Sequence, residues 1–178
     1  MEFCKIEIEE ERLKELIKEV VMEVIVKDRE LFTEATFYLK NDYRKILNAL
    51  VNDDNRDVRI AVAKQGYGLN KLVNDESASV RKVVARQGYG LDKLINDECW
   101  TVREAVAKLG YGLDKLIDDK DPDVRAAVAS QGYGLDKLIN DKNFYVRMAV
   151  AEQGYGLDKL INDEDYRVRV TAKQNRNL

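Results

Sequence analysis

Histidine is missing altogether from the 178 residues. Its absence removes Ser–His–Asp triads, His-ligated metals and the side chain that most often serves as a general base near neutral pH. Cysteine is nearly absent. Cys4 and Cys99 supply neither a disulfide framework nor a metal-ligand spacing, so no cofactor is expected and a reducing, cytoplasmic location is. Proline occurs once, at Pro122, and all ten glycines fall in five Gly-Tyr-Gly triplets beginning at Gly66, Gly88, Gly110, Gly132 and Gly154. No hydrophobic run is long. Val20–Val26 is apolar-rich but interrupted by Glu23, and it falls far short of the ~20 residues that span a bilayer; no membrane partner is expected. The opening MEFCKIEIEEERLK is acidic, without the sustained apolar core of a secretory signal. Charge of one sign is also lacking. Lysine and arginine number 30 against 33 acids, a net charge of −3, which argues against a general nucleic-acid binder. An apolar fraction of 45 % is what a folded domain carries.

What the chain has instead is repetition. QGYGLDKLINDE stands at Gln87–Glu98 and Gln153–Glu164, with near copies at Gln65–Glu76, Leu109–Lys120 and Gln131–Lys142. Leu50, Leu72, Leu94, Leu116, Leu138 and Leu160 mark a period of 22 residues, a spacing in the range of solenoid repeats. No stretch alternates polar and apolar residues, so two helical pieces per repeat are predicted rather than a strand. In the first repeat the long piece covers roughly Asn55–Gln65. Asp53 is its expected N-cap, and Gly66 ends it in the left-handed conformation. The short α or 3₁₀ piece covers roughly Leu69–Asn74, capped by the Asn70 column or the preceding glycine. One such unit buries too few aliphatic side chains to fold alone, so the repeats are expected to share one continuous core.

The pattern D-x-x-x-x-V-R-x-x-V-A followed by L-x-x-L resembles the leucine-rich repeat variant family, and more broadly HEAT-type repeats. It covers Leu50–Arg169, about two-thirds of the chain. The resemblance implies alternating α and 3₁₀ helices in a right-handed superhelix; with the period of 22 residues, an all-α fold is expected, an α-solenoid of two-helix repeats. The chain departs from that family in its Gln-Gly-Tyr-Gly junction, its shorter unit and its lack of a cysteine cluster, so no iron–sulfur centre is carried over.

Three regions are expected: a helical N-terminal cap over 1–46, five to six repeats over 47–169, and a C-terminal cap or tail over 170–178. Apolar Leu13, Ile17, Val20, Val21 and Val24 recur at helical spacing from Glu9 to Val26. Further helices are predicted over Glu30–Leu39 and Tyr43–Leu50, and a short strand over Phe3–Ile8. The cap also has a second reading, as a docking or dimerising element.

Comparing the repeats with one another separates scaffold from free positions. With Val58 as origin on the long helix, Val62, Gln65 and Ala61 fall within about 60° of it and hardly vary between repeats, which predicts the buried side. Positions 56, 57, 60 and 64 fall about 160–260° away, and these are the columns that change. Exposed aromatic and methionine side chains are typical of interface cores. The candidate partner-binding stripe is therefore Arg56, Ile60, Lys82, Trp100, Glu104, Phe144, Tyr145, Met148 and Tyr166. The arginine column Arg59–Arg81–Arg103–Arg125–Arg147–Arg169 could bind phosphates, but each follows an aspartate by six residues, so an Arg–Asp ladder between repeats is the expectation. The tyrosines of the Gly-Tyr-Gly triplets are expected to pack between repeats with exposed hydroxyls. The acidic stretch Asp118–Asp123 lacks the glycine and closing glutamate of a calcium loop, and Cys99 reads as an accessible free thiol. The function expected is non-catalytic binding of a protein or peptide through the variable face. The alternatives are a HEAT-like nucleic-acid binder and a structural or engineered repeat scaffold with no specific ligand.

Overall fold

In the computed structural model the described residues are Arg44 and 46–176. The helices expected over Glu9–Val26 and Glu30–Leu39, and the strand expected over Phe3–Ile8, lie outside them. The chain divides into two compact units, Met1–Leu72 and Val73–Leu178. Every regular element among the described residues is helical.

In the first unit, helical residues 46–50 precede α1 (Arg56–Lys64) and α2 (Leu69–Leu72). Leu47, Leu50, Val51, Val58, Ala61, Val62 and Leu72 form its buried apolar surface. The second unit alternates long and short helices: α3 (Ala78–Arg86), α4 (Leu91–Leu94), α5 (Trp100–Ala107), α6 (Leu113–Leu116), α7 (Pro122–Ser130), α8 (Leu135–Leu138), α9 (Phe144–Glu152), α10 (Leu157–Leu160) and α11 (Tyr166–Arg176). Packing is sequential. Within the second unit each long helix touches the next long helix, and each short helix lies against the long helix before it and the one after.

The long helices form for local reasons. A Val-Arg-x-x-Val-Ala core puts two valines a turn apart on one face, and those valines are fully buried in α3, α5, α7 and α9. The N-cap is not the aspartate at 53 and its equivalents. Asn55, Asp121 and Asn143 cap instead, their side chains accepting the N–H two residues on at 2.8–3.0 Å. The aspartate column lies two residues earlier and shapes the loop, accepting the backbone N–H of Asn55, Ser77, Cys99, Asp121, Asn143 and Asp165 at 2.8–2.9 Å. That loop hydrogen bond leaves the aspartate too early in the chain to reach the first helical turn.

The C-terminus of α3 is a Schellman motif. Gly88 at φ +75° donates to Ala85 O at 2.8 Å, and Tyr89 donates to Val84 O at 3.3 Å. The second glycine of each triplet then opens the short helix, as Gly90 does for α4. These glycines meet a steric limit beyond their positive φ. A Cβ on Gly112, Gly134 or Gly156 would fall inside the radius of the Cδ1 of Ile95, Ile117 or Ile139 of the preceding repeat. The short helix itself stops earlier than expected. After Leu94 the chain closes by i→i−3 bonds, Asn96 N to Lys93 O and Asp97 N to Leu94 O, both 3.1 Å.

The Gln65 column is not on the buried side. It is the C-cap, where the helix has already turned outward, and Gln65, Gln87, Gln131 and Gln153 are exposed. Its place on the buried face is taken by arginine, which carries the joint between repeats. Arg81 Nε and Nη2 donate to Asp97 at 2.7 and 2.9 Å, and Nη1 donates to the carbonyls of Asp75 and Glu76 in its own loop. Arg103–Asp119, Arg125–Asp141 and Arg147–Asp163 repeat the same bidentate pair at 2.6–2.9 Å. Both partners are buried, with 10 % or less of each side chain exposed. The arginine column is thus scaffold within the second unit. A second, exposed ladder joins Lys93 to Asn74, Lys137 to Asp118 and Lys159 to Asn140.

Candidate partner-binding face

The candidate residues fall in both units. Arg56, exposed, and Ile60, half-buried, belong to the first; the remaining seven belong to the second. Column 60 is not opposite the core. Lys82, Glu104, Ala126 and Met148 are half-buried because stacking tilts this column toward the neighbouring helix, between the buried columns 59 and 61. Columns 57 and 64 lie further out, and apart from the half-buried Thr101 their members in α3 to α9 are exposed.

Within the second unit the side chains of the stripe form two groups of different chemistry. Toward its start, Lys82, Glu104 and Lys108 form an ionic cluster: Glu104 accepts from Lys108 Nζ at 2.5 Å and lies 3.5 Å from Lys82 Nζ. Burial pushes the Glu104 carboxyl up, but its hydrogen bond to Lys108 and the two lysine charges outweigh that and hold it below the ordinary glutamate value. Toward the end of the unit the group is aromatic. Phe144 and Tyr145 have ring centroids 3.9 Å apart, and the guanidinium of Arg167 lies 3.5 Å from the Phe144 centroid. It also lies 5.9 Å from the Tyr145 ring and 5.7 Å from the Tyr166 ring. A cation at this range over a ring face is attracted by the ring quadrupole. Asp165 holds Arg167 from the other side at 2.7–3.0 Å; the Arg167 hydrogen bond in turn lowers the Asp165 carboxyl to about 2. Tyr145, Tyr166 and Val170 keep 48 %, 64 % and 46 % of their surface exposed. Trp100, at 38 %, stands on α5.

Arg167 is the member of this face that the chosen set leaves out. Its signal was in the sequence: column 57 changes from aspartate, serine and threonine to Tyr145 and Arg167, which brings an aromatic and a cation to adjacent repeats.

The other tempting residues have structural partners. In the acidic stretch Asp119 is held by Arg103, Asp121 caps α7, and Asp118 pairs with Lys137 at 2.5 and 2.6 Å. Cys99 is half-buried at the N-cap of α5, its Sγ 3.3 Å from Thr101 Oγ1; that contact lowers its pKa from the ordinary thiol value. The Tyr67 hydroxyl donates to Asn48 Oδ1 at 2.7 Å, whereas Tyr89, Tyr111, Tyr133 and Tyr155 are each 41–42 % exposed. Shallow depressions of ≈370, ≈440 and ≈370 Å³ recur around Arg103, Arg125 and Arg147. Their charged walls are largely the two ladders reaching the surface.

No helix among the described residues is long and apolar enough to cross a membrane. No protein-family model matches the chain, and a comparison with curated proteins finds no match.

Proposed function

We propose that the chain is a non-catalytic α-solenoid of the leucine-rich repeat variant or HEAT-like kind, working in a reducing, cytoplasmic setting. Its unit is the 22-residue repeat, wound in the right-handed superhelix that the resemblance implies. Its task is to bind a protein or peptide through the variable face of the long helices. The reading rests on one observation above the others: the variable columns of α5, α9 and α11 carry the exposed Trp100, Tyr145 and Tyr166, with exposed Val170 and half-buried Met148, where the same columns of α3 and α7 carry no aromatic. Solvated helices carry such clusters only at a cost, and a partner that covers them removes it. The nucleic-acid alternative draws less support, because Lys82 and Lys108 share the Glu104 carboxylate and the cluster keeps only one net positive charge.

The test is a peptide-display selection against the whole chain, repeated with a Trp100→Lys/Phe144→Lys/Met148→Lys variant of unchanged helicity. Selected peptides bind the wild type and lose the variant. Peptides that hold both equally well would sink this reading.

A further inference from the structure

The arginine ladder has one rung unlike the others. In α3, α5, α7 and α9 the guanidinium is used twice: Nη1 donates to carbonyls of its own loop, and the Nε–Nη2 edge donates to the aspartate of the following loop. Arg169 of α11 makes only the first set, to Asp163 O at 2.7 Å and Glu164 O at 3.0 Å. Among the described residues no carboxylate meets its other edge. The backbone bonds set the plane of the guanidinium in advance, so a carboxylate would meet a donor fork that is already ordered. The four completed rungs show which ligand that fork takes.

The surroundings of Arg169 differ from those of its equivalents as well. Ala85, Ala107, Ala129 and Ala151 are fully buried under the next long helix, but the same column in α11 carries the exposed Lys173. Four residues apart on one helix, Arg169 and Lys173 share a face, and the exposed Tyr166 is three residues before Arg169 on that face. Arg167 is engaged by Asp165, and Arg176 by Asp158 at 3.1 Å. Arg169 and Lys173 are left as the cations of α11 without an acidic partner among the described residues. A lysine stands here in place of the alanine that the other long helices bury, and it adds charge that an acidic ligand would match.

We propose that this face of α11 binds an acidic loop of another protein, one that presents aspartate in the same turn as the repeat loops. The aspartate seats on the Arg169 fork, and a neighbouring acid faces Lys173. A second copy of this chain fits less well, because Asp97, Asp119, Asp141 and Asp163 are already gripped by their own arginines. The inference does not rest on the stripe. Its site is the arginine column, and it stands if the stripe proves inert.

The experiment titrates the full ¹⁵N-labelled chain with the acetylated, amidated peptide LINDEDY, the sequence of Leu160–Tyr166, and follows the arginine Nε–Hε signals. The Arg169 signal should shift saturably while those of Arg56 and Arg167 stay in place. A peptide with the Asp163→Asn change should bind on the order of tenfold more weakly, since a charge-assisted pair is lost. Arg169→Gln, followed by the backbone amide signals of α11, should abolish peptide binding. Lys173→Glu, which leaves the Arg169 backbone bonds intact, should weaken it. No saturable shift would overturn the proposal, as would equal binding of the asparagine peptide. Sodium acetate giving the same shift at matched carboxylate concentration would reduce the site to a general anion contact. A protein-alone shift that tracks dimer formation in sedimentation would assign the face to a second copy instead.

Discussion

Asp119 has three bonds to keep at once. Its two oxygens take the Nε and Nη2 of Arg103 at 2.6 and 2.8 Å, and Oδ1 also accepts the Asp121 N–H at 2.9 Å. Removing one partner of a buried pair leaves the other charge desolvated and unmatched, which costs more than the pair contributes over an apolar replacement. Asp119→Ala is therefore expected to lower unfolding free energy by about 3–5 kcal/mol. Asp123→Ala, four residues on and exposed, should cost under about 1 kcal/mol. Urea denaturation of the two variants measures the difference, and equal losses would show that the ladder contributes no more than a surface charge. The pairing of the two columns was legible in the sequence because both recur with the same period. The ladder between repeats was expected, and the carboxylate does come from sixteen residues further on, in the next repeat. The stacking of one loop on the next makes that pairing. The second grip was not legible: the aspartate six residues before each arginine offers its backbone carbonyl to the same guanidinium.

The helix pairs show the same division between what local chemistry dictates and what neighbours decide. Helix starts at 56, 78, 100, 122, 144 and 166 follow the period, and a glycine at positive φ follows each long helix before α11, as backbone sterics allow. The N-cap falls two residues later than the spacing predicts because Asp and Asn share the same turn chemistry two residues apart, and the sequence alone does not say which shapes the loop. The Gln65 column was misplaced, and column 60 set too far from the core, because an ideal wheel gives an angle but not a neighbour. For the two glycines of one triplet the structure predicts unequal costs. Alanine at Gly132 meets nothing nearer than Gln153 Oε1 at 4.0 Å, so it bears only the left-handed backbone penalty of about 1–2 kcal/mol. Alanine at Gly134 bears that penalty and also collides with Ile117 Cδ1, so Gly134→Ala should be the more destabilising. Ile117→Val, which deletes Cδ1, should restore part of the loss in the double variant. Thermal melts of the three proteins decide this; no rescue would mean that the collision is not what makes the second glycine necessary.

Across the second unit, four buried aspartates act together. Burial pushes the carboxyls of Asp97, Asp119, Asp141 and Asp163 up, but the hydrogen bonds and charge of the arginines, with one backbone N–H each, outweigh it and hold them below the ordinary aspartate value. A carboxyl whose pKa is lower folded than unfolded stabilises the fold above the unfolded value of about 3.9 and loses that contribution as pH falls. Urea midpoints should hold from pH 7 to about 5 and decline below about 4; a midpoint level down to pH 3 would remove the ladder from the account. Sequential packing sets a second expectation. Val168 is fully buried in α11, which meets only α9 and α10 among the helices of the unit, so Val168→Ala should speed amide exchange in α10 and α11 and leave α3 protected. Uniform loss of protection would mean that the unit opens as one body. The joint has one more property. Arg81, Arg103 and Arg125 each grip their own loop by the backbone and the following loop by the carboxylate, and a glycine–isoleucine contact runs between the same two repeats. These three seams therefore have the same two halves, one on each side, while the variable columns take no part in the arginine–aspartate grip. A unit of 22 residues copied or deleted in register meets on both sides the surfaces it was made for, so the array is interchangeable in its parts: its length and its outward face are free to change separately, without a new seam having to be invented.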